Sequence, residues 1–538
     1  MSASSKKKLR KELNAAAMTE KQLQEQKETK KLRLYTGLFA AAIAVMILVV
    51  IVSRVFSSGI IPRSTTALTV GGTKVSAAEL NHYYIDSVNN FLNQAGDMVS
   101  LFGLDTTKAL DDQFYNEAEG DTWADYFLDQ ATATAQNMYA VYNAAKADGF
   151  TMSEEAKASV DATVENMALY ATMYGFPSAD AYIAAMYGEG CNLDTFRDYA
   201  EVQMTAQEYA AAKTESLVYD KAALEAKDAE NPAAYSSYDY QYYYMANTKF
   251  YQGGTENEDG TTTYSDEEME AGRAACEAAA NTLAAATNAE ELDAAIAALE
   301  INAEVENAKS THSHNTMYAS IPAAIQSWVT DSARKAGDIS AIPSEYTNED
   351  GGKSVAGYYV VLFEGENENL TNLINVRHIL VSFEGGTTDE TTGAVTYSDE
   401  EKAKAKTEAD EILAAFQAGE KTEEAFAALA NEKSDDGDGT TGGLYENVYP
   451  GQMVTNFNDW CFDAARKTGD TAVVETEYGY HVMYFVGTAE STYRDYLIEN
   501  TLINEEMTAW ETGLIEAAEL VVKNTKYVKT DLMLSSNS

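Results

Sequence analysis

The chain contains only five histidines among its 538 residues, and one of them, His481, stands in the apolar segment TEYGYHVMYF. Aromatic and β-branched residues dominate this segment, which predicts a strand from Thr476 to Phe485. A histidine within a strand is usually a hydrogen-bonded member of a core. A chemical role for His481 therefore requires a polar partner that the fold brings in from elsewhere in the chain.

Two further segments lie upstream of His481. VRHILVSF contains His378, and SDDGDGTTGGLYENVYPGQMVTNFNDWCF follows it before VVETEYGYHVMYF. In this order and spacing, residues 372–488 resemble the parvulin family of peptidyl-prolyl isomerases. The resemblance implies a small antiparallel sheet in which the strands of His378 and His481 are neighbours, which would supply the missing partner.

The resemblance also implies a role for eight side chains. Tyr445 departs from the family, which has a pocket leucine at this position, and its larger, polar-tipped ring would narrow the proline pocket. The alternative for Met453 and Phe457 is core packing after a turn. The implied catalytic residues are His378, Asp436, Thr476 and His481. The implied substrate-binding residues are Ser434, Tyr445, Met453 and Phe457.

These residue types suit the reaction that the resemblance implies. Rotation about an X-Pro bond faces a barrier of about 18–20 kcal/mol, which amide resonance sets. No covalent step is needed, because a site that favours the twisted amide over both planar forms lowers this barrier. Met453 and Phe457 would hold the prolyl ring while a hydrogen-bond network orients the site. We expect neither a cofactor nor a metal.

Composition excludes several other classes of function. The formal net charge of -47 argues against nucleic-acid binding, which requires lysine and arginine to neutralise phosphates. The three cysteines are far apart and cannot form a disulfide framework. The length predicts three or four domains. We expect an α+β multidomain chain with an N-terminal transmembrane helix, a helical chaperone-like domain and two tandem parvulin-like domains, the first of them degenerate.

The first residues differ in charge from the rest. Residues 1–33 carry ten lysines and arginines against four glutamates, and no charge occurs in LYTGLFAAAIAVMILVVIV at residues 34–52. We interpret residues 1–33 as a cytoplasmic tail and 34–53 as a single membrane crossing, so that the acidic bulk lies outside the cell membrane. A cleaved signal peptide with a long basic region is the alternative.

The remaining chain indicates one helical domain and two copies of an α+β unit. Residues 66–234 predict a hairpin and a helical domain, completed by a C-terminal helix within 489–535. The string TYSDEE occurs twice, at 263–268 and 396–401, and two further matches follow it in the same order. We therefore predict parvulin-like copies at 235–366 and 372–488. Each would run strand, capped helix, helix, irregular loop, helix, strand, strand.

The first copy lacks the polar residues of the second. Tyr359 stands where the second copy has His481, and Ile321 and Ile325 replace Met453 and Phe457. We expect this copy to be inactive. The histidines of the segment HSH, His312 to His314, lie on a predicted loop without further ligands, which is weak evidence for a metal.

Three classes of function remain. The leading hypothesis is a membrane-anchored peptidyl-prolyl isomerase and chaperone that acts on secreted or unfolded polypeptides with X-Pro bonds, similar to the PrsA-type and SurA-type extracytoplasmic foldases. The second is a non-enzymatic holdase with a catalytically weak parvulin domain, which Tyr445 favours. The third is an extracytoplasmic scaffold. The sequence leaves a homodimer open.

Overall fold

The computed structural model describes residues 4–8, 43–47, 49, 58–348, 351–389, 392–437 and 439–532. Most of the basic tail and most of the predicted membrane crossing lie outside these ranges. Within them, no helix is both long and apolar enough to cross a membrane. The chain groups into two compact units, Met1–Val218 with Glu505–Ser538, and Tyr219–Asn504. The sequence predicted that the helical domain ends at residue 234 and resumes at 489, whereas the first unit ends at Val218 and resumes at Glu505.

The first unit begins with the predicted hairpin. Strands β1 (Thr66–Val70) and β2 (Thr73–Ser76) are antiparallel, and β17 (Leu520–Val522) pairs with the other edge of β1. The Ser76 hydroxyl accepts a hydrogen bond from the Glu79 N–H, and the Glu79 carboxylate accepts one from the Ser76 N–H. These two reciprocal bonds form a capping box, which starts the first long helix.

Alanine-rich segments form the helices of the first unit, because alanine has the highest helix propensity. Their larger apolar residues lie in two clusters, and in the larger of these Leu80, Trp123 and Phe127 are fully or almost fully buried. The helices are α1 (Ile60–Ser64), α2 (Ala77–Ala95), α3 (Trp123–Ala147), α4 (Glu154–Met173), α5 (Ala179–Tyr187) and α6 (Leu193–Ser216), and a ribbon of β3 (Phe114–Asn116) and β4 (Asp121–Thr122) precedes α3.

The second unit contains two four-stranded antiparallel sheets with helices on both faces. The first sheet has the order β8-β5-β10-β9. Helices α8 and α9 cover one face, and the short helix α10 covers the other. Its elements are α7 (Lys221–Asp228), β5 (Ser237–Ala246), β6 (Thr255–Glu256), β7 (Thr262–Thr263), α8 (Asp266–Leu283), α9 (Ala289–Ala297), β8 (Thr311–Met317), α10 (Ala323–Val329), β9 (Ile339–Thr347) and β10 (Lys353–Asn367).

The second sheet has the order β14-β11-β16-β15. Helices α11 and α12 pack on one face, and α13 packs on the other. Its elements are β11 (Asn372–Ser382), β12 (Thr387–Thr388), β13 (Val395–Thr396), α11 (Asp399–Ala418), α12 (Glu423–Lys433), β14 (Leu444–Val448), α13 (Thr455–Cys461), β15 (Thr471–Glu475) and β16 (Gly479–Thr492). Helix α14 (Tyr493–Ala517) follows β16 directly.

Each of the two sheets has an edge strand with the same irregularity, β8 in the first and β14 in the second. Asn315 on β8 and Asn447 on β14 both adopt left-handed backbone, with φ of 49° and 55°. Each donates its N–H to a side-chain oxygen of the adjacent strand, Asp239 at 2.6 Å and Asn375 at 2.8 Å respectively. Asparagine tolerates this conformation better than most residues. Both sheets therefore bulge at the same place.

Two expectations about this edge are wrong. An irregular loop was expected before the third helix of each copy, and the HSH segment was placed on it. The structure has strands there, β8 and β14, and the HSH segment lies on β8. Both are edge strands in which Val448 is the one buried residue, so they lack the alternation of apolar residues that marks a half-buried strand.

The second sheet depends on the aromatic side chain of Phe426 for its core. This ring is fully buried and lies 5.2 Å from the ring of Phe416 and 5.3 Å from that of Tyr484, centroid to centroid. We expect Phe426→Ala to destabilise this part of the chain by about 3–5 kcal/mol, because it leaves a cavity. Hydrogen exchange of peptides from α12 and β16 would show the loss of protection.

The matched control is Val395→Ala. Val395 lies on β13 and is 45% exposed, so its loss should change stability by at most about 0.5 kcal/mol. Equal exchange in the Phe426→Ala and Val395→Ala variants would contradict the assignment of Phe426 to this core.

Candidate active site

Strand register brings two histidines together on the second sheet. His378 on β11 pairs with Met483 on β16, and His481 pairs with Leu380. Side chains of paired residues share a face, so the imidazoles are diagonal neighbours on the face that α13 covers. Their Nδ1 atoms are 3.1 Å apart, and both rings are almost fully buried. Each is therefore the polar partner of the other.

Polar groups at both ends continue this hydrogen bond. The Nε2 atom of His481 lies 2.9 Å from the hydroxyl of Thr476, and the Nε2 atom of His378 lies 3.2 Å from the carboxylate of Asp436. The hydroxyl of Tyr445 donates a second hydrogen bond of 2.8 Å to the same carboxylate. The result is a continuous chain from Thr476 through both imidazoles to Asp436.

Donor and acceptor roles in this chain follow from its last member. An ionised carboxylate only accepts hydrogen bonds, so we assign the proton of His378 to Nε2. Its Nδ1 atom then accepts from the Nδ1–H of His481, whose Nε2 atom accepts from the Thr476 hydroxyl. That hydroxyl in turn accepts the N–H of Tyr478 at 3.2 Å. Every member of the chain is thus satisfied with both imidazoles neutral.

Burial favours the same neutral forms. Removal from water, together with the neighbouring His378, lowers the pKa of His481 to about 4, whereas Asp436 opposes the shift. Burial also lowers the pKa of His378, with Asp436 again acting against it. Burial, together with the hydrogen bond to Asp436 and the charge of its carboxylate, raises the pKa of Tyr445 to about 12. At neutral pH, both imidazoles and the Tyr445 hydroxyl are therefore uncharged.

The loop after α12 positions Asp436. The Ser434 hydroxyl accepts the N–H groups of Leu380 at 3.1 Å and of Asp436 at 3.2 Å. The carboxylate of Asp435 accepts the N–H of Ser382 at 2.8 Å. These bonds attach the loop to β11. Ser434 was expected to bind substrate, but its side chain contacts backbone and does not line the cavity described below.

A glycine next to this loop sets the position of His378. Gly443 has a φ of 65°, and a Cβ atom there would lie 2.1 Å from the carbonyl oxygen of His378. The His378 N–H also donates to the carbonyl of Gly443 at 2.9 Å. Only glycine allows this approach. It holds the chain at the start of β14 directly against the histidine of β11.

A cavity of about 340 Å³ lies over the histidine pair. Its lining combines the ends of the polar network with apolar side chains, among them Met453 and Phe457. Phe457 is 2% exposed, and its ring meets both imidazoles edge-on at 5.3 and 5.5 Å. Phe457 therefore serves both the core and the cavity wall. The lining residues are His378, Leu380, Asp436, Tyr445, Gln452, Met453, Val454, Phe457, Tyr478 and His481.

The structure thus brings together seven of the eight residues that the sequence singled out. Six line the cavity, and Thr476 lies behind His481 as its hydrogen-bond partner. Sequence reasoning missed Leu380, Gln452, Val454 and Tyr478. Tyr478 is 60% exposed and stands in the turn between β15 and β16. Its place next to Thr476 and its large exposed ring were signals that could have identified it.

The first sheet has no such network at the corresponding positions. Tyr242 pairs with Val361 and Tyr359 pairs with Tyr244, which by register are the places of His378 and His481. The rings of Tyr242 and Tyr359 are 6.0 Å apart, centroid to centroid. Ile325, fully buried, occupies the place of Phe457 on the short helix. The same scaffold carries two tyrosines instead of two imidazoles.

Comparison with known proteins agrees with this site. Residues 359–487 match the family model of the PPIC-type PPIase domain. The chain therefore carries a parvulin-type peptidyl-prolyl isomerase domain, which confirms the resemblance predicted from its motifs. It is 31% identical to foldase protein PrsA 1 of Listeria innocua serovar 6a over 161 residues, which are 28% of this chain and 46% of the relative.

Two solved structures are also similar to parts of the chain. PrsA from Bacillus subtilis is 24% identical, with 30% of this chain and 56% of that chain covered and a TM-score of 0.20. A SurA-like chaperone of Campylobacter jejuni is 24% identical, with 28% and 57% covered and a TM-score of 0.15. The chain spans about half the length of the curated relatives it matches.

The pKa shifts predict a specific dependence of stability on pH. An unfolded histidine titrates at about 6.5, so between that pH and about 4 the unfolded chain binds a proton that folded His481 does not. The contribution of neutral, buried His481 to the free energy of unfolding is fully present above about pH 6.5, and it is lost as the pH falls towards 4. Unfolding by urea at several pH values would measure this loss.

The matched variant for this prediction is His481→Gln, which keeps a polar side chain without a titrating group. We expect it to flatten the slope between pH 6.5 and 4 relative to the unmodified chain. Titration of the imidazole signals by NMR supplies the direct value. A His481 signal that titrates near 6.5 would contradict the buried neutral assignment.

Proposed function

We propose that the whole chain is a foldase whose second sheet catalyses the cis-trans isomerisation of X-Pro bonds in unfolded polypeptides. One observation carries the proposal: a neutral, hydrogen-bonded pair of histidines lies under a partly apolar cavity with one carboxylate at its rim. The family match of residues 359–487 supports it independently. No metal or cofactor is required, because amide rotation makes and breaks no covalent bond.

The prolyl ring would occupy the apolar part of the cavity, against Met453 and Phe457. Its preceding amide would then lie near the histidine pair. Amide resonance places partial negative charge on the carbonyl oxygen, and this charge separation is weakest in the twisted form. An apolar wall and the negative charge of Asp436 both disfavour charge separation near that oxygen. The site therefore destabilises the planar forms relative to the transition state.

The histidines have a structural part in this mechanism. They are neutral at pH 7 and both of their nitrogens are engaged, so they have no proton to donate to the substrate. Their network fixes the floor of the cavity and the orientation of Asp436. Asp436 is the group whose charge acts on the rotating amide. Its side chain is 41% exposed, which leaves it accessible to a bound peptide.

The cellular setting belongs to the proposal as well. Residues 34–53 would anchor the chain as a single crossing with a cytoplasmic N-terminus, and the remainder would act on secreted polypeptides outside the membrane. The uncharged stretch and its basic flank support this. The first sheet would be a degenerate, inactive copy of the second, since Tyr242 and Tyr359 replace the histidine pair. Homodimer formation stays a prediction.

A non-enzymatic holdase is the second candidate, and Tyr445 favours it. This ring lies 4.6 Å from the ring of His378, and its hydroxyl contacts Asp436. The ring of Tyr445 thereby narrows the cavity on the side where His378 and Asp436 lie. A holdase would bind unfolded chains without accelerating prolyl isomerisation.

The first test measures isomerisation of a proline-containing tetrapeptide by the full chain. We expect His481→Ala to lower kcat/KM at least about tenfold, which corresponds to about 1.4 kcal/mol of transition-state stabilisation. Its removal leaves His378 and Thr476 without their hydrogen-bond partner. The matched control is Tyr359→Ala at the corresponding place of the first sheet, which should retain activity.

Two results would contradict the isomerase. An inactive unmodified chain that still suppresses the aggregation of an unfolded protein would identify a holdase. Activity that survives His481→Ala in a folded variant, as circular dichroism would establish, would show that the histidine network is not needed for catalysis.

The second test concerns the tyrosine that departs from the family. We expect Tyr445→Phe to lower kcat about fivefold with little change in KM, because it removes one hydrogen bond worth about 1 kcal/mol from Asp436 and keeps the ring. The matched control is Tyr478→Phe, which removes a hydroxyl from the same cavity but not from Asp436. Equal effects of both variants would mean that the Asp436 bond has no part in the reaction.

A further inference from the structure

Three side chains with metal-binding atoms converge on the first sheet, on the face opposite to its tyrosine pair. They are His312 and His314 of β8 and Glu364 of β10. One ligand atom from each lies within 4.8 Å of the other two. All three are at least partly exposed, so an ion can reach them from solvent.

The fold creates this cluster from distant parts of the chain. Residues two apart on a strand point to the same side, so both imidazoles of β8 face one way. Their rings are 3.7 Å apart, centroid to centroid. The central strand β5 lies between β8 and β10, and Glu364 reaches across it from a bulge between Phe363 and Gly365. Its carboxylate contacts the Nε2 atom of His312.

A second set of contacts orients the carboxylate of Glu364. Gln241 on β5 is 8% exposed and donates from Nε2 to the Oε1 atom of Glu364 at 2.8 Å. The Oε1 atom of Gln241 accepts from the Ser310 hydroxyl at 2.7 Å, which fixes the amide. One carboxylate oxygen is thereby engaged and the other, Oε2, is directed at the histidines. Metal sites use such outer contacts to hold their ligands.

His314 has a comparable outer partner. Its Nδ1 atom lies 3.7 Å from the carboxylate of Asp239, which the backbone N–H of Asn315 holds at 2.6 Å. This separation is longer than a hydrogen bond, but a carboxylate on the Nδ1 side of His314 leaves Nε2 as the available ligand atom. The left-handed residue Asn315 thus supports the cluster through Asp239.

We propose that His312, His314 and Glu364 bind one divalent transition-metal ion, with zinc as the ion best suited to the donor set. Two imidazoles and one carboxylate are ligands that zinc accepts, whereas calcium and magnesium prefer oxygen alone. Two atoms bound at about 2.1 Å to a tetrahedral ion are about 3.4 Å apart. Small rotations of exposed side chains bring the three ligand atoms to this spacing. One coordination position stays open to water or to a further ligand.

An ordinary ion pair between His312 and Glu364 does not account for the whole arrangement. Such a pair needs neither the second imidazole against the first nor the carboxylate of Asp239 behind it. Two imidazoles in contact, here with their rings tilted by 47°, repel each other when protonated and gain from a shared cation when neutral. The metal ion explains all four side chains at once.

The cluster is independent of the proposed isomerase site. By strand register, Leu444 and Glu446 of β14 correspond to His312 and His314, and Val486 of β16 corresponds to Glu364. The second sheet therefore lacks the donor set. Zinc bound on the first sheet would connect edge strand β8 to β10 across β5, so the expected effect is stabilisation.

Zinc titration of the full chain tests the proposal. Metal-free protein is titrated with zinc chloride by calorimetry, in a large excess of magnesium that occupies the many exposed carboxylates. We expect one bound zinc, and at least tenfold weaker binding in each of His312→Ala, His314→Ala and Glu364→Gln. The matched control is Glu490→Gln on β16, which removes the same charge from the second sheet and should leave binding unchanged.

A second readout separates a site from general cation binding. Zinc should raise the unfolding temperature of the unmodified chain and of Glu490→Gln, but not that of the double variant H312A/H314A. The proposal is overturned if no zinc binds in excess magnesium, or if the double variant binds as tightly as the unmodified chain. It is also overturned if only Glu364→Gln weakens binding, which would indicate carboxylates alone. Prolyl isomerisation should be the same with and without zinc.

Discussion

The hydrogen bond between His378 and His481 is the interaction on which the candidate site depends. It exists only in one register of β11 against β16, because a slip of one residue would turn one imidazole to the opposite face. Gly443 lets the backbone at the start of β14 approach His378, and Thr476 closes the other end. The turn before β16 and the start of the edge strand β14 therefore both help to position the two imidazoles, whose Nδ1 atoms are 3.1 Å apart.

A buried polar network is tolerated only when every member is satisfied. The chain from Thr476 to Asp436 meets this condition with neutral imidazoles, so it costs the apolar surroundings little. His82 shows the contrast. It is buried in the first unit with one nitrogen 3.2 Å from the Thr195 hydroxyl, and the other, Nδ1, has no hydrogen-bond partner in the described structure. His82 is a core histidine, whereas His378 and His481 border a cavity.

Local sequence predicted those parts of the fold that local interactions determine. The capping box of Ser76 and the strand of His481 follow from neighbouring residues, although this strand begins at Gly479 and not at the predicted Thr476. Strand β8 could not be predicted, because its exposed side chains lack periodicity and its partner β5 lies far away in sequence. Ser434 was expected to contact substrate because of the family resemblance, and its actual partner is also distant in sequence. Its role depends on the N–H of Leu380, which no spacing along the chain reveals.

The two sheets show how one scaffold can carry different chemistry. Side chains alternate between faces along a strand, so a substitution changes one face and leaves the other intact. In the second sheet the polar residues lie on the face of the single short helix. In the first sheet tyrosines occupy that face, while Glu364 and the histidines of β8 lie on the opposite one. Because Tyr242 and Tyr359 pack without imidazoles, the scaffold does not need the network to fold. A change on one face therefore leaves the arrangement of side chains on the opposite face intact.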